Sequence, residues 1–330
     1  MGDTVANGFT IFSVTYIGDL VLATLTFDAL WKESKQPLTV VTAPAPAPLL
    51  AADPRVRAVR LVRSSRALVW RVEVVREFAR AKRAGERIIN LEVYPPRWGF
   101  LRALCRWGSC EARAIDLPSL QADERNALRK APAALPHRSS YYAGAVGLPT
   151  DDPPRPRLKL PPAALARIAE RLDASRVDGS LPLVVAHPGS SSHARRAPLP
   201  LFAETLARIA AERPVAIAVV GNAAEKLLVA SLLEALPCTL RASSWAGELS
   251  LVETAALLAR ADLFVGNDSG PLKLAEAVET PTLSFWGPSA PSFAGPRGER
   301  HRVAHFEDPP AAAAAGALAL LDHPRSGSAG

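Results

Sequence analysis

The segment Leu263-Phe-Val-Gly-Asn-Asp-Ser-Gly-Pro-Leu-Lys273 decides the fold class of this chain. A short apolar run, 263–265, ends at a turn of glycine and small polar residues, and Pro271 follows where the first residue of a helix would stand. A buried strand that passes through a glycine turn into a helix is the repeating element of parallel α/β sheets. The backbone amides around Ser269 and Gly270 would point out of that helix N-terminus, which makes the turn a candidate anion-binding site.

The same alternation of short Val-, Ile- and Leu-rich runs with longer helical patterns continues through both halves of the chain, and it predicts two parallel sheets. The predicted strands are 9–14, 38–42, 56–62, 87–93 and 113–117 in the first half, and 183–187, 216–220, 239–242, 263–265 and 282–286 in the second. The clearest predicted helix of the first half is 66–84, with Leu68, Val72, Val75 and Ala79 on its apolar face. The predicted helices of the second half are 199–212, 224–236, 251–261, 272–278 and 311–321. Ser250 and Glu253 form a capping box at the start of helix 251–261.

A proline-rich stretch, 149–162, separates the two halves and can be neither helix nor central strand. It predicts an N-terminal Rossmann-like domain over 1–155, a C-terminal one over 156–322 and a tail over 323–330. Two such domains joined by a hinge imply a ligand cleft between the carboxyl ends of their strands.

Composition narrows the class of protein. Hydrophobic residues make up 48% and charged residues 22%, as in an ordinary globular protein rather than a disordered one. No apolar run is long enough to span a membrane, residues 1–8 do not resemble a secretory signal, and three cysteines without ligand spacing predict no metal site. We therefore expect a cytoplasmic protein. The net charge of +7 favours anionic partners, unless it reflects a composition rich in Arg and Ala; no nucleic-acid-binding module is present.

Several further motifs resemble one known family when taken in order. They are Tyr16-Ile-Gly-Asp19, Asn90-Leu-Glu-Val93, His187-Pro-Gly-Ser-Ser191, Arg195-Arg-Ala-Pro198, Val220-Gly-Asn-Ala-Ala-Glu225, Gly266-Asn-Asp-Ser-Gly270 and Gly287-Pro-Ser-Ala-Pro291. The chain resembles the ADP-heptose:lipopolysaccharide heptosyltransferases of glycosyltransferase family 9. The resemblance implies a GT-B fold, with two Rossmann-like parallel-sheet domains facing a central cleft, and inverting transfer without a metal. The nucleotide sugar, ADP-heptose, would be a co-substrate, and no other cofactor is expected.

The resemblance also implies roles for single residues, each with a structural alternative. Asp19 would be the catalytic base, or it would cap a helix that begins near Leu20. Arg195, and beside it Arg196, would neutralise the leaving diphosphate, or both would lie in a solvated loop. Ser190 would offer a hydroxyl to the phosphates, and Glu225 would bind the ribose or simply favour a helix dipole.

The remaining donor-binding residues would be Asp268, Ser269, Gly270 and Lys273. In the alternative, Asp268 or Ser269 caps an unliganded helix. Lys273 favours a ligand, because a cation in a first helical turn opposes the helix dipole unless an anion is bound. The family pattern has histidine where Lys273 stands, and a lysine there could still contact phosphate. It has an acid where Ala290 stands, and the missing acid puts the donor sugar in doubt. His187 is predicted to pack at the end of its strand.

Acceptor binding would fall to the first domain, at Thr15, Arg60 and Arg63. Arg55, Arg57 and Arg66 crowd the same stretch, which would suit an acidic glycan or a lipid-linked acceptor, although a solvated charged surface is equally consistent. Peripheral contact with the inner face of the cytoplasmic membrane would follow from such an acceptor.

Three hypotheses follow for function. The first is transfer of a heptose from ADP-heptose to an acceptor hydroxyl in lipopolysaccharide core assembly. The second is a related GT-B transferase with another nucleotide sugar or with a protein or small-molecule acceptor. The third is a catalytically silent nucleotide-binding paralogue. An NAD-dependent dehydrogenase is disfavoured, because no G-x-G-x-x-G follows the first strand of either half.

Overall fold

The computed structural model describes residues 8–14, 16–63, 67–92, 97–107, 112–114, 135–174 and 181–323. The described residues up to Lys159 form one compact unit, and those from Leu160 onward form another. They are called unit 1 and unit 2 below.

Unit 1 is built on a parallel sheet in the order β3-β2-β1-β4-β5. Every residue of the central strands β1 and β2 is buried, as a parallel sheet covered on both faces requires. All five predicted strands are present, although Val93 and residues 115–117 of the predicted ranges lie outside the described residues. The strands are β1 (Phe9–Ser13), β2 (Leu38–Thr42), β3 (Val56–Leu61), β4 (Arg87–Asn90) and β5 (Ala112–Ala114).

Helices cover both faces of this sheet. Side chains alternate along a strand, so Ile11 of β1 enters one core together with Phe27 and Tyr142, while Phe12 enters the other together with Trp70 and Phe78. The described helices of unit 1 are α1 (Ile17–Ala23), α2 (Phe27–Ser34), α3 (Ala67–Arg83), α4 (Arg97–Trp107) and α5 (Arg138–Gly144).

The apolar face that the periodicity of α3 indicates is not the face that packs on the sheet. Leu68 and Val72 of the predicted face are 75% and 63% exposed, whereas Trp70, Val74 and Phe78 on another face are buried. The helix carries two apolar stripes, and helical periodicity alone does not say which one packs. The stripe with the two aromatic side chains packs on the sheet, because it offers the larger apolar area for burial.

Unit 2 contains a parallel sheet in the order β11-β10-β9-β6-β7-β8. The five strands predicted here are present, and β8 begins two residues after its predicted start. β11 is not predicted, because it is a polar strand at the edge of the sheet with only Ala304 buried. The strands are β6 (Leu183–His187), β7 (Ala216–Val219), β8 (Arg241–Ser244), β9 (Leu263–Asn267), β10 (Thr282–Trp286) and β11 (His301–His305).

The main core of unit 2 includes Phe202, Leu206, Val229, Phe285 and Ala317. The predicted capping box is confirmed: the Ser250 hydroxyl accepts from the Glu253 amide at 3.2 Å, and the Glu253 carboxylate accepts from the Ser250 amide at 2.9 Å. The described helices of unit 2 are α6 (Pro162–Ala174), α7 (Leu199–Glu212), α8 (Lys226–Ala235), α9 (Leu251–Arg260), α10 (Gly270–Ala277), α11 (Pro291–Ala294) and α12 (Pro310–Leu321). Within the described ranges, no helix has both the length and the hydropathy of a membrane-spanning segment.

Candidate functional site

The turn after β9 has the form that the sequence predicts. Ser269 is the extended N-cap residue of α10, and Pro271 stands in its first turn. Ser269 occupies the N-cap position, but its side chain makes no capping hydrogen bond to the helix. The amides of the first turn are therefore not satisfied by the N-cap side chain, which is the arrangement that binds anions at a helix N-terminus.

The loop after β6 packs against this turn, because β6 and β9 are neighbouring parallel strands and His187 lies opposite Gly266. The Ser190 hydroxyl donates to the Asp268 carbonyl at 3.0 Å. The Arg195 guanidinium donates to the Asp268 carboxylate at 3.1 Å and to Ser191 at 2.7 Å. The structure thus brings Ser190, Arg195, Asp268 and Ser269 together.

Arg196 and Asn267 fix the shape of the same loop. Arg196 donates twice to the Ser190 carbonyl, at 3.0 and 3.1 Å. The buried Asn267 side chain donates to the Pro188 carbonyl at 2.7 Å and accepts from the Ala197 amide at 3.0 Å. Sequence reasoning assigned Asn267 no role, although its amide holds the β6 loop against the β9 turn.

His187 connects this turn to the loop after β7. Its Nδ1 lies 3.3 Å from the Ser269 hydroxyl, and its Nε2 lies 3.3 Å from the Glu225 carboxylate. An ionised carboxylate can only accept, so the Nε2–H group of His187 donates to Glu225. Beyond packing at its strand end, His187 therefore links two residues predicted to bind the donor.

Glu225 is held as an ionised side chain. Burial alone would raise the pKa of Glu225, but the hydrogen bond and charge of His187, the Asn222 amide and Arg196 together lower it below its ordinary value. The carboxylate also closes a capping box with Asn222. A Cβ on Gly189 would lie 1.9 Å from the Glu225 carboxylate oxygen, so the absence of a side chain at Gly189 makes room for it.

Lys273 is buried within unit 2. Its ammonium donates to Glu276 at 3.2 Å and to the Ala294 carbonyl at 2.5 Å. Because Glu276 balances the charge from inside α10, the position of Lys273 no longer requires a bound phosphate for its explanation. A role for Lys273 in donor binding stays a prediction.

A pocket of about 270 Å³ opens beside Arg195 and Asp268. Its wall includes Ser289, Ala290 and Phe293, from the loop after β10 and from α11. Ala290, where the family pattern has an acid, therefore lines a pocket next to the predicted phosphate site.

In unit 1, α1 begins at Ile17 with Tyr16 as its N-cap, so Asp19 lies in the first turn and is not the capping residue. Asp19 is 3% exposed, and its carboxylate accepts a hydrogen bond from Arg138 of α5. A second buried carboxylate, Glu92, follows β4 and accepts from the Val14 amide at 3.3 Å. Asp19 and Glu92 thus follow two neighbouring strands, β1 and β4.

Two of the residues predicted to bind an acceptor, Arg60 and Arg63, lie on and just after β3 of unit 1. Arg60 lies 3.6 Å from the buried Glu77, while the side chain of Arg63 is exposed just beyond β3. Arg55 pairs with Asp53 and Asp28, and Arg57 pairs with Glu86. Much of the predicted basic cluster is therefore engaged in ion pairs within unit 1. Thr15 and Arg66 lie outside the described residues.

Across the described part of the chain, no group of three or more His, Cys, Asp or Glu side chains has the arrangement of a metal site.

A family model and a relative of known function both relate this chain to heptosyltransferases. The family model of glycosyltransferase family 9 (heptosyltransferase) matches residues 100–315. Lipooligosaccharide heptosyltransferase 2 of Haemophilus influenzae is 30% identical over 159 residues, which span 46% of this chain and 46% of that relative, so the match covers about half of its length.

Two solved structures share the fold. The glycosyl transferase family 9 protein of Veillonella parvula has a TM-score of 0.77 at 15% identity, over 96% of this chain and 99% of that one. The ADP-heptose lipopolysaccharide heptosyltransferase II of Escherichia coli has a TM-score of 0.72 at 20% identity, over 95% and 98%. These similarities confirm the predicted α/β fold of the GT-B class. Since the family model covers more than half of the 330 residues, the chain belongs to glycosyltransferase family 9, the heptosyltransferase family.

Proposed function

We propose that this protein transfers a heptose from ADP-heptose to an acceptor hydroxyl in lipopolysaccharide core assembly, with inversion and without a metal ion. Family membership supports the reaction class. The observation that carries the proposal is the convergence of Ser190, Arg195 and the N-terminus of α10 within unit 2. Hydroxyls, a guanidinium and the amides of a helix N-terminus are the groups that recognise a diphosphate.

In this proposal, the donor lies along the carboxyl ends of β6, β7 and β9. The diphosphate contacts the α10 N-terminus, Ser190 and Arg195, with Arg196 adding positive charge beside it. Glu225, held ionised, accepts hydrogen bonds from the ribose hydroxyls. The sugar enters the pocket that Asp268 and Ala290 line.

The chemical step forms one bond and breaks another at the anomeric carbon. The acceptor oxygen attacks that carbon, and the bond to the diphosphate oxygen breaks, so that ADP leaves with the bonding electrons. Asp19 takes the proton from the acceptor hydroxyl, and the Arg138 guanidinium, which pairs with the Asp19 carboxylate, holds it in place. Arg195 and the α10 amides stabilise the charge that develops on the leaving diphosphate.

Removal of the base tests this assignment. We expect Asp19→Asn to lower transfer by about 10²- to 10⁴-fold, the usual contribution of a general base. Its affinity for ADP, measured by calorimetry, should stay within about twofold of the wild-type value, because Asp19 is not part of the donor site. Asp151→Asn, which changes an exposed carboxylate, is the matched control and should keep full activity. Near-wild-type turnover of Asp19→Asn would refute the role of Asp19.

A different donor sugar is the second candidate, because Ala290 rather than an acid lines the pocket beside Arg195. Thermal-shift measurements with ADP-, UDP-, GDP- and dTDP-sugars distinguish the candidates. A true donor at about 100 times its Kd stabilises the folded protein by about 2.7 kcal/mol. Strong stabilisation by a nucleotide sugar other than ADP-heptose would exclude the first proposal in favour of the second.

A further inference from the structure

Helix α3 of unit 1 presents an apolar stripe to solvent. Leu68, Val72 and Val75 are 75%, 63% and 41% exposed. Their spacing of four and then three residues places them in a row on one face of the helix. We call Leu68, Val72 and Val75 the outward stripe.

The outward stripe has no role in the core of unit 1. The sheet-facing side of α3 is already filled by Trp70, Val74, Phe78 and Ala81, which are at most 4% exposed. Exposed valines and leucines that occur singly need no explanation, whereas a continuous apolar row on one helix marks a surface for binding.

The charges of α3 are distributed in a pattern that suits an anionic partner. The helix has five basic and two acidic residues over 17 positions. At about 100° per residue, Arg71 and Lys82 flank one side of the outward stripe, and Arg76 and Arg83 flank the other. All four side chains are exposed.

The two acidic residues of α3 lie away from this face. Glu77 is 1% exposed, and it pairs with Arg76 and Arg80 on the helix and with Arg60 of β3. Glu73 is half-buried and accepts from the Arg63 amide. The outward face of α3 therefore combines an apolar centre with basic flanks.

We propose that the outward face of α3 binds the surface of an anionic phospholipid bilayer. A helix with basic residues on both sides of an apolar row lies in the plane of a membrane, with its apolar side chains at the acyl boundary and its cations among the phosphates. A second copy of this chain fits less well, because a symmetric pair would bring two sets of these cations together. The proposal does not depend on the transferase reaction.

The expected binding is weak and reversible. Each basic residue near an anionic surface raises affinity about fivefold, and the contribution falls as salt screens the charge. Three short apolar side chains add much less than a spanning helix would.

The test is co-sedimentation of the full chain with vesicles of phosphatidylethanolamine and phosphatidylglycerol in a ratio of about three to one, and with phosphatidylcholine alone. We expect binding to the anionic vesicles only, with a loss on raising the salt from about 0.1 M to about 0.5 M. The double variant Leu68→Gln with Val72→Gln should bind at least about tenfold more weakly, because it removes most of the apolar row.

Two further variants make the result decisive. Leu227→Gln removes an 84% exposed leucine from α8 in unit 2, and it should bind like the wild type. The double variant Lys82→Gln with Arg83→Gln keeps the apolar row and should also bind anionic vesicles at least about tenfold more weakly. It tests vesicle binding independently if Leu68→Gln with Val72→Gln lowers the Tm.

Failure of the wild-type chain to bind anionic vesicles overturns the proposal, as does unchanged binding of the double variants. A dimer seen in sedimentation velocity without lipid, and lost in Leu68→Gln with Val72→Gln while vesicle binding persists, assigns the stripe to a second copy instead.

Discussion

At the scale of single residues, Gly189 is the position where an added methyl group changes most. Its Cβ would lie 1.9 Å from the Glu225 carboxylate and 2.8 Å from His187 Nε2. We expect Gly189→Ala to displace that carboxylate from His187, to destabilise the protein by about 1–3 kcal/mol through a buried polar group left unsatisfied, and to weaken ADP binding. Urea unfolding and calorimetry measure the two effects.

The matched control is Gly316→Ala in α12. A Cβ there meets Arg302 at an ordinary distance of 3.7 Å, and alanine favours a helix over glycine. This substitution should stabilise the protein by about 0.5–1 kcal/mol, so the two Gly→Ala changes should differ in sign. Equal effects would show that the site does not need glycine at position 189.

The charge of Glu225 gives a pH prediction. Its pKa is lowered in the folded protein, so its contribution to stability is fully present above its unfolded-state value of about 4.3 and is lost as pH falls through the lower folded-state pKa. Wild type should therefore be more stable than Glu225→Gln near pH 7, and the difference in unfolding free energy should shrink below about pH 4. A difference that is constant with pH would contradict the assignment of Glu225 as an ionised side chain.

At the scale of elements, α9 tests how far a sequence motif fixes local structure. Ser250→Ala removes the hydroxyl that accepts from the Glu253 amide, and we expect a loss of about 1 kcal/mol in urea unfolding. Ser250→Gly should cost only a few tenths of a kcal/mol, because glycine is tolerated at the N-cap. A larger loss for glycine than for alanine would indicate that the hydroxyl is not what stabilises this helix end.

Helix α3 shows the opposite case, in which an element is identified by sequence but its orientation is not. Its periodicity fits two apolar faces equally well. Only the packing of Trp70 and Phe78 against unit 1 shows that Leu68 and Val72 face solvent. For α1, the sequence left the first residue of the helix open. The helix begins at Ile17 rather than near Leu20, so Asp19 is not at the N-cap position.

At the scale of the whole molecule, the donor site is confined to unit 2 in our proposal. ADP should therefore slow amide hydrogen exchange in residues 188–197 after β6 and at the start of α10. Exchange in β2 and β3 of unit 1 should be unchanged and serves as the internal control. Protection that appears in unit 1 but not at α10 would place the nucleotide elsewhere.

The sequence by itself determined the two parallel sheets except for the edge strand β11, the capping box of α9 and the family, because buried strands, glycine turns and caps are local patterns. It also supplied most residues of the candidate donor site, since the carboxyl ends of parallel strands meet at one edge. Tertiary structure alone decided the partners of those residues: His187 between Ser269 and Glu225, Arg138 on Asp19, and Glu276 beside Lys273. Most of these pairs join residues distant in the sequence, and no local pattern encodes which side chains the packing of helices and loops brings within hydrogen-bonding distance.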